Sequence, residues 1–106
     1  MPKYLITAKY TQDGVKGLLQ GGGKSRAEVL KQVMEGMGGK AEAFYFALGE
    51  FDGVAIVDLP DNVSAASVPL VVRASGMGEM QVIPLLTVDE IDAATKKSVG
   101  YRPPGQ

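Results

Sequence analysis

The 106-residue chain contains no cysteine and no histidine. It therefore has no disulfides, no thiolate nucleophile, no imidazole base and none of the nitrogen and sulfur ligands that zinc prefers. These absences exclude a protein zinc site of that kind and catalysis by Cys-His or Ser-His-Asp groups. We expect no metal and no cofactor.

Strong charge and long apolar runs are also missing. Eleven basic and twelve acidic residues give a formal net charge of -1, so no positive field would attract nucleic acid. No window approaches the 18 apolar residues of a membrane span, and the N-terminus enters an alternating segment rather than a leader. We therefore expect no nucleic-acid partner, no membrane association and a cytoplasmic location.

Alternating apolar residues predict four strands. Their expected ranges are Lys3–Tyr10, Lys40–Leu48, Val54–Leu59 and Met80–Leu86. The turn Gly49–Gly53 would join the second and third strands in a hairpin. Because a proline cannot donate to a strand ladder, Pro84 places the fourth strand at an edge or a bulge.

Three helices are predicted between and after these strands. Ser25 and Glu28 match a capping box that would start the first helix, which would end at Gly38-Gly39. The preceding residues 11–24 hold five of the fourteen glycines, so we expect a long loop there with at most one helical turn. A second helix, over about 63–75, would be capped by Asp61 or Asn62 and kinked or broken near 65–68 by Pro69.

The third helix would run over Val88–Lys97, because Thr87 and Glu90 form another capping box. The order strand, helix, strand, strand, helix, strand is that of an α+β, ferredoxin-like βαββαβ domain with a four-stranded antiparallel sheet. The third helix is an addition at its C-terminal end. We predict one domain over residues 1–97, followed by an extended tail over 98–106 that has little to bury.

Both faces of most predicted strands carry apolar side chains, although the two main helices can cover only one face. The second face needs a cover that one chain cannot supply. A second copy of the chain, packed sheet on sheet about a two-fold axis, is the expected partner.

One glycine-rich segment, Gly21-Gly22-Gly23-Lys24-Ser25, resembles the end of a phosphate-binding loop. That motif requires a glycine where this chain has Leu18, and it must directly follow a strand. We therefore favour a solvent loop leading into the Ser25 cap over a nucleotide site.

The hairpin turn offers the main candidates for chemistry. Glu50 and Asp52 could act as a general acid or base, and Tyr10 and Tyr45 could present phenols to a cleft. The turn is also explained by local structure, because Asp-Gly is a strong hairpin signal and strand tyrosines usually belong to a core or an interface. On this structural hypothesis the Asp52 carboxylate accepts backbone N–H bonds within the turn.

The run Leu48-Gly49-Glu50-Phe51-Asp52-Gly53, continued by Val54–Asp61, resembles the signature of the GYD domain family. That family is named for a glycine, a tyrosine and an aspartate in this hairpin. Gly49 and Asp52 match the motif, and Phe51 stands at the tyrosine position. Lys3-Tyr4, Gly38-Gly39-Lys40 and Tyr45 also fit, so the resemblance covers about residues 3–95.

The resemblance implies a dimeric α/β barrel of bacterial type without an established activity. Our first hypothesis is a non-catalytic homodimer of unassigned function that pairs through the open sheet face and uses the hairpin motif structurally. The alternatives are a cofactor-independent enzyme of the oxygenase or isomerase type, and a binding module for a small organic ligand. Both alternatives would use the cleft between sheet and helices. They differ from the first hypothesis in the position of Asp52, which would face a cavity and not fold back onto the backbone of the hairpin.

Overall fold

A computed structural model describes all 106 residues of the chain. Its elements are β1 (Lys3–Tyr10), α1 (Gln12–Gly36), β2 (Lys40–Phe46), β3 (Gly53–Asp58), α2 (Asn62–Ala74), β4 (Gly78–Leu85) and α3 (Val88–Thr95). The strands form one sheet in the order β2-β3-β1-β4, and each neighbouring pair is antiparallel. The chain is therefore α+β, and its topology is consistent with the predicted ferredoxin-like fold.

The hydrophobic core lies between one face of the sheet and the helices. The registers place Tyr4 beside Val57 and Ile6 beside Ala55 on this face. Met34 of α1 and Val68 of α2 pack against them. The buried apolar residues are Tyr4, Ile6, Met34, Ala55, Val57, Leu59, Ala65 and Val68. Tyr4 is fully buried, and its hydroxyl is satisfied there by donating a hydrogen bond to Asn62 Oδ1 at 2.7 Å.

The long loop predicted over residues 11–24 is wrong. Helix α1 begins at Gln12, where the Thr11 hydroxyl caps it by accepting a bond from the Gly14 N–H at 3.2 Å. The helix is interrupted only at Gly22, whose φ of 79° lies in the left-handed region that glycine tolerates. Ser25 lies inside the helix rather than at its start, so the predicted capping box with Glu28 is also wrong.

The other boundaries differ from the predictions by one or two residues. Strand β2 ends at Phe46 and not at Leu48, whereas β4 begins at Gly78, two residues early. Helix α2 passes through Pro69 without the expected break, and the backbone is helical on both sides of the proline. Pro84 does lie on an edge strand, as predicted.

The predicted caps of the later helices are confirmed. Asp61 accepts a bond from the Ser64 N–H at 2.8 Å, and this bond lowers the pKa of the Asp61 carboxyl. Thr87 and Glu90 form both bonds of a capping box at the start of α3. None of the helices combines the length and the apolar character needed to cross a bilayer.

The second face of the sheet, which we call the open face, carries no helix. Its middle holds Leu5, Ile56 and Ile83, which are neighbours across three strands. At one end Lys3 Nζ lies 2.7 Å from Glu42 Oε2 and 3.0 Å from Asp58 Oδ1, and these bonds raise the pKa of Lys3. Glu42 reaches this lysine from a bulge in β2 between Ala41 and Ala43. The open face therefore has an apolar middle and a charged edge.

The single chain is not compact. Its radius of gyration is 17.0 Å, whereas a compact domain of this length has about 13 Å. Helix α3 buries no residue, and its apolar Val88 and Ile91 are exposed. Every residue of the tail over 98–106 is exposed as well.

Removal of residues 98–106 tests the role of the tail. Because these residues bury no side chain in the folded chain, we expect the melting temperature to fall by less than about 5 °C. Thermal unfolding followed by circular dichroism measures this. A larger fall would mean that the tail docks on a surface that the single chain does not reveal.

Candidate functional site

A cavity of about 370 Å³ lies between the sheet and helices α1 and α2. Its deep end is formed by the buried residues Ile6, Met34, Ala55 and Val68. Its exposed lining residues include Arg26 of α1 and Ser75 and Met77 just before β4, and we call this exposed end the mouth. We call this cavity the cleft.

The lining of the cleft is mostly apolar. Fourteen of its 20 residues are hydrophobic, and the polar ones lie near the mouth. Ser75 is already engaged there, since its hydroxyl donates to the Val72 carbonyl and accepts from the Met77 N–H. The Tyr10 hydroxyl and the Arg26 guanidinium form no hydrogen bond or ion pair within the chain. These two groups are therefore free to contact a molecule in the cleft.

The first turn of α1 holds one wall of the mouth in place. The Thr11 hydroxyl donates to the Gly76 carbonyl at 2.7 Å, and the Thr11 N–H donates to the Met77 carbonyl at 3.2 Å. Gly14 approaches the same Met77 carbonyl so closely that a Cβ atom there would clash with the backbone oxygen. The glycine that sequence analysis assigned to a loop is thus required for close packing inside a helix.

Asp52 ties three strands together just before β3. Its carboxylate accepts a bond from the Tyr10 N–H at 2.8 Å. Its own N–H donates to the Ala8 carbonyl, and its carbonyl accepts from the Ala47 N–H. The predicted backbone partner is therefore found, but it lies at the end of β1 and not within the hairpin turn. The correction follows from the register, which pairs Gly53 with Ala8 and so brings Asp52 to the end of β1.

The other sequence candidates are distributed around the sheet. Tyr10 lines the cleft, whereas Glu50 and Phe51 line a separate polar groove beside Thr7 and Lys9 of the open face. Tyr45 also belongs to the open face and is 71% exposed. Gly49 is an exposed residue of the hairpin. The structure therefore does not gather the four candidate catalytic residues into one site.

Sequence analysis did not identify the residues of α1 that line the cleft. Arg26, Val29, Leu30 and Val33 all do so. Helical spacing was the available signal, because residues at i, i+4 and i+7 share one face, and this places Arg26 with Leu30 and Val33. The predicted start of the helix at Ser25 left Arg26 in its first turn, where nothing indicated that it would face the sheet.

Substitution of Asp52 tests its structural role. Asp52→Ala leaves the Tyr10 N–H without its partner, so we expect a loss of about 1–3 kcal/mol in the free energy of unfolding. Asp52→Asn keeps one acceptor oxygen, and its loss should be smaller. Urea unfolding measures both variants. Equal stability of wild type and Asp52→Ala would contradict the role described here.

Comparison with known proteins supports the resemblance noted in the hairpin. No curated protein and no solved structure matches the chain significantly. The family model described as "GYD domain" matches residues 4–95, which is most of the chain and includes all seven helices and strands at least in large part. The chain therefore belongs to the GYD domain family.

Proposed function

We propose that this chain is a homodimer that binds a small organic molecule in the cleft without converting it. The observation that carries the proposal is the cleft itself. Its volume of about 370 Å³ lies within the range of about 300–1,000 Å³ that is typical of ligand pockets. Its apolar deep end and few free polar groups also follow the pattern of such pockets.

The distribution of titratable groups favours binding over catalysis. The Asp52 carboxylate is engaged by the Tyr10 N–H and does not line the cleft, and Glu50 lies at a different groove. Tyr10 is the only sequence-predicted candidate in the cleft. A general acid and base pair acting on one substrate would need both groups within hydrogen-bond reach of it. The cofactor-independent enzyme is therefore the second hypothesis, and consumption of a bound compound would favour it.

The open face supports the homodimer. Ile83 is 41% exposed and Tyr45 is 71% exposed, and both lie on a face that no helix of the same chain covers. Charged residues such as Lys3 and Glu42 lie at its edge rather than its middle. An apolar middle within a polar rim is the usual arrangement of a protein interface.

The small core of one chain also favours a second copy. Only 12 of the 106 residues are buried, although 45% of the sequence is hydrophobic. A partner on the open face would bury apolar side chains that the single chain leaves half-exposed. A face that packs against its own copy about a two-fold axis gives a closed dimer. Sheet-on-sheet packing of two such domains is the dimeric α/β barrel that the family resemblance implies.

Filling the cleft tests the binding site. Val29 lines the cleft and is 39% exposed, so Val29→Trp should occupy part of the volume and abolish binding of an uncharged probe such as indole. Val63→Trp is the matched control, because Val63 is 82% exposed and does not line the cleft. Amide chemical shifts in an NMR titration measure binding. Unchanged indole binding by Val29→Trp, or shifts confined to other surfaces, would contradict the assignment of the site.

A charge on the open face tests the dimer. Ile56 lies in the middle of this face between Leu5 and Ala43, so Ile56→Lys should separate the subunits by placing an unpaired charge in the interface. Val63→Lys, on a helix that packs on the other face, should leave the dimer intact. Sedimentation velocity should give the wild type a mass near twice the 11.1 kDa of one chain. A monomeric wild type at micromolar concentration would refute the dimer, and circular dichroism verifies that each variant is folded.

A further inference from the structure

We propose that the molecule bound in the cleft is a largely apolar monoanion, with a carboxylate or a similar group, and that Arg26 binds its charge. The inference rests on the proposed binding function and adds the chemical class of the ligand. Few charged residues line the cleft, and their arrangement indicates the charge of the ligand.

Three charged residues line the cleft, namely Lys9, Arg26 and Glu79. Lys9 and Glu79 face each other across β1 and β4, since their Cα atoms are partners in the register. By strand alternation both side chains lie on the open face with Leu5 and Ile83, where no ion pair joins them and their opposite charges sum to zero. Arg26 lies on α1, and no acid forms an ion pair with it. The cleft consequently has one uncompensated positive charge.

The hydrogen-bonding groups that are free in the cleft also favour an anionic ligand. The Arg26 guanidinium has only donors, and the Tyr10 hydroxyl can donate as well. Ser75, the remaining polar residue that could reach a ligand, has its hydroxyl engaged by Val72 and Met77. A ligand that presents acceptor oxygens with a negative charge would satisfy both free groups, and the planar guanidinium can bind a carboxylate through two parallel bonds.

The shape of the cleft separates the two ends of such a ligand. The deep end is closed by Met34 and Val68, which are buried and apolar. Arg26 is exposed and belongs to the mouth. The apolar body of the ligand would lie inward, and its anionic group would remain near the mouth where desolvation of the charge is incomplete.

The test compares matched pairs of carboxylic acids and their primary amides, for example 4-phenylbutyrate with 4-phenylbutyramide and octanoate with octanamide. The two members of each pair have nearly the same shape and differ in charge. We expect the acid to bind the wild-type homodimer at least about fivefold more tightly than the amide in low salt, as expected for one partly solvated ion pair. Isothermal titration calorimetry measures both dissociation constants.

The arginine variants assign this difference to one residue. Arg26→Gln should reduce the ratio of the two dissociation constants to about one, whereas Arg26→Lys should retain part of it. Lys31→Gln is the control, because Lys31 is an exposed cation on the same helix that does not line the cleft. Glutamine forms helices nearly as well as arginine and lysine, so all these variants should fold.

The outcomes separate this inference from the proposed function. If acids and amides bind the cleft equally well, or if Arg26→Gln leaves the ratio unchanged, the anionic ligand is refuted while the binding function stands. If no member of any pair shifts the amide signals of cleft residues, both proposals fail together.

Discussion

The constraint on which this structure depends is that its sheet is apolar on both faces, while the chain has two main helices for only one of them. On the helix face, Tyr4, Ile6 and Val57 are buried under α1 and α2. On the open face, Leu5, Ile56 and Ile83 form an equivalent row with no cover from the same chain. Burial of apolar surface is the main favourable term in folding, so an uncovered row of this kind drives association. The homodimer proposed above would remove this imbalance by covering the row with a second copy.

The same architecture leaves a cleft on the helix face. Both α1 and α2 line this cleft, and buried side chains such as Met34 and Val68 close its deep part. The mouth is held by hydrogen bonds from the Thr11 hydroxyl and N–H to the carbonyls of residues 76 and 77, and by the bond that the Asp52 carboxylate accepts from the Tyr10 N–H. Asp52, the aspartate of the motif in this chain's hairpin, thus holds the backbone of Tyr10 beside the cleft. A cleft held in this way would be largely formed before the proposed ligand enters, which would lower the cost of binding.

Strand alternation and hairpin chemistry were sufficient to predict the sheet, because period-two patterns depend on local side chains alone. The order of the elements then limited the topology to the ferredoxin-like one. The first half of α1 could not be predicted in this way. Its glycines at positions 14 and 17 argue against a helix on propensity, and only the contact of Gly14 with the distant Met77 carbonyl explains the first of them. Tertiary packing thus outweighed local preference.

The site was less predictable than the fold for a related reason. The cleft is built from α1, α2 and residues of all four strands, so its members share no local motif. Arg26 became a candidate only when the structure placed it in the lining of the cleft. The partner of Asp52 lies on β1 because of the sheet register and not because of the turn. Sequence patterns identify elements well, but they do not specify which side chains meet between elements that are far apart in the chain.

The claim that the open faces of two chains meet is tested most directly by an isotope-filtered NOESY experiment on a dimer mixed from labelled and unlabelled chains. A homodimer that pairs through its open faces should show intermolecular contacts among the methyl groups of Leu5, Ile56 and Ile83. A dimer whose filtered spectrum lacks these contacts, and instead shows contacts from α3 or from the cleft side, would contradict it.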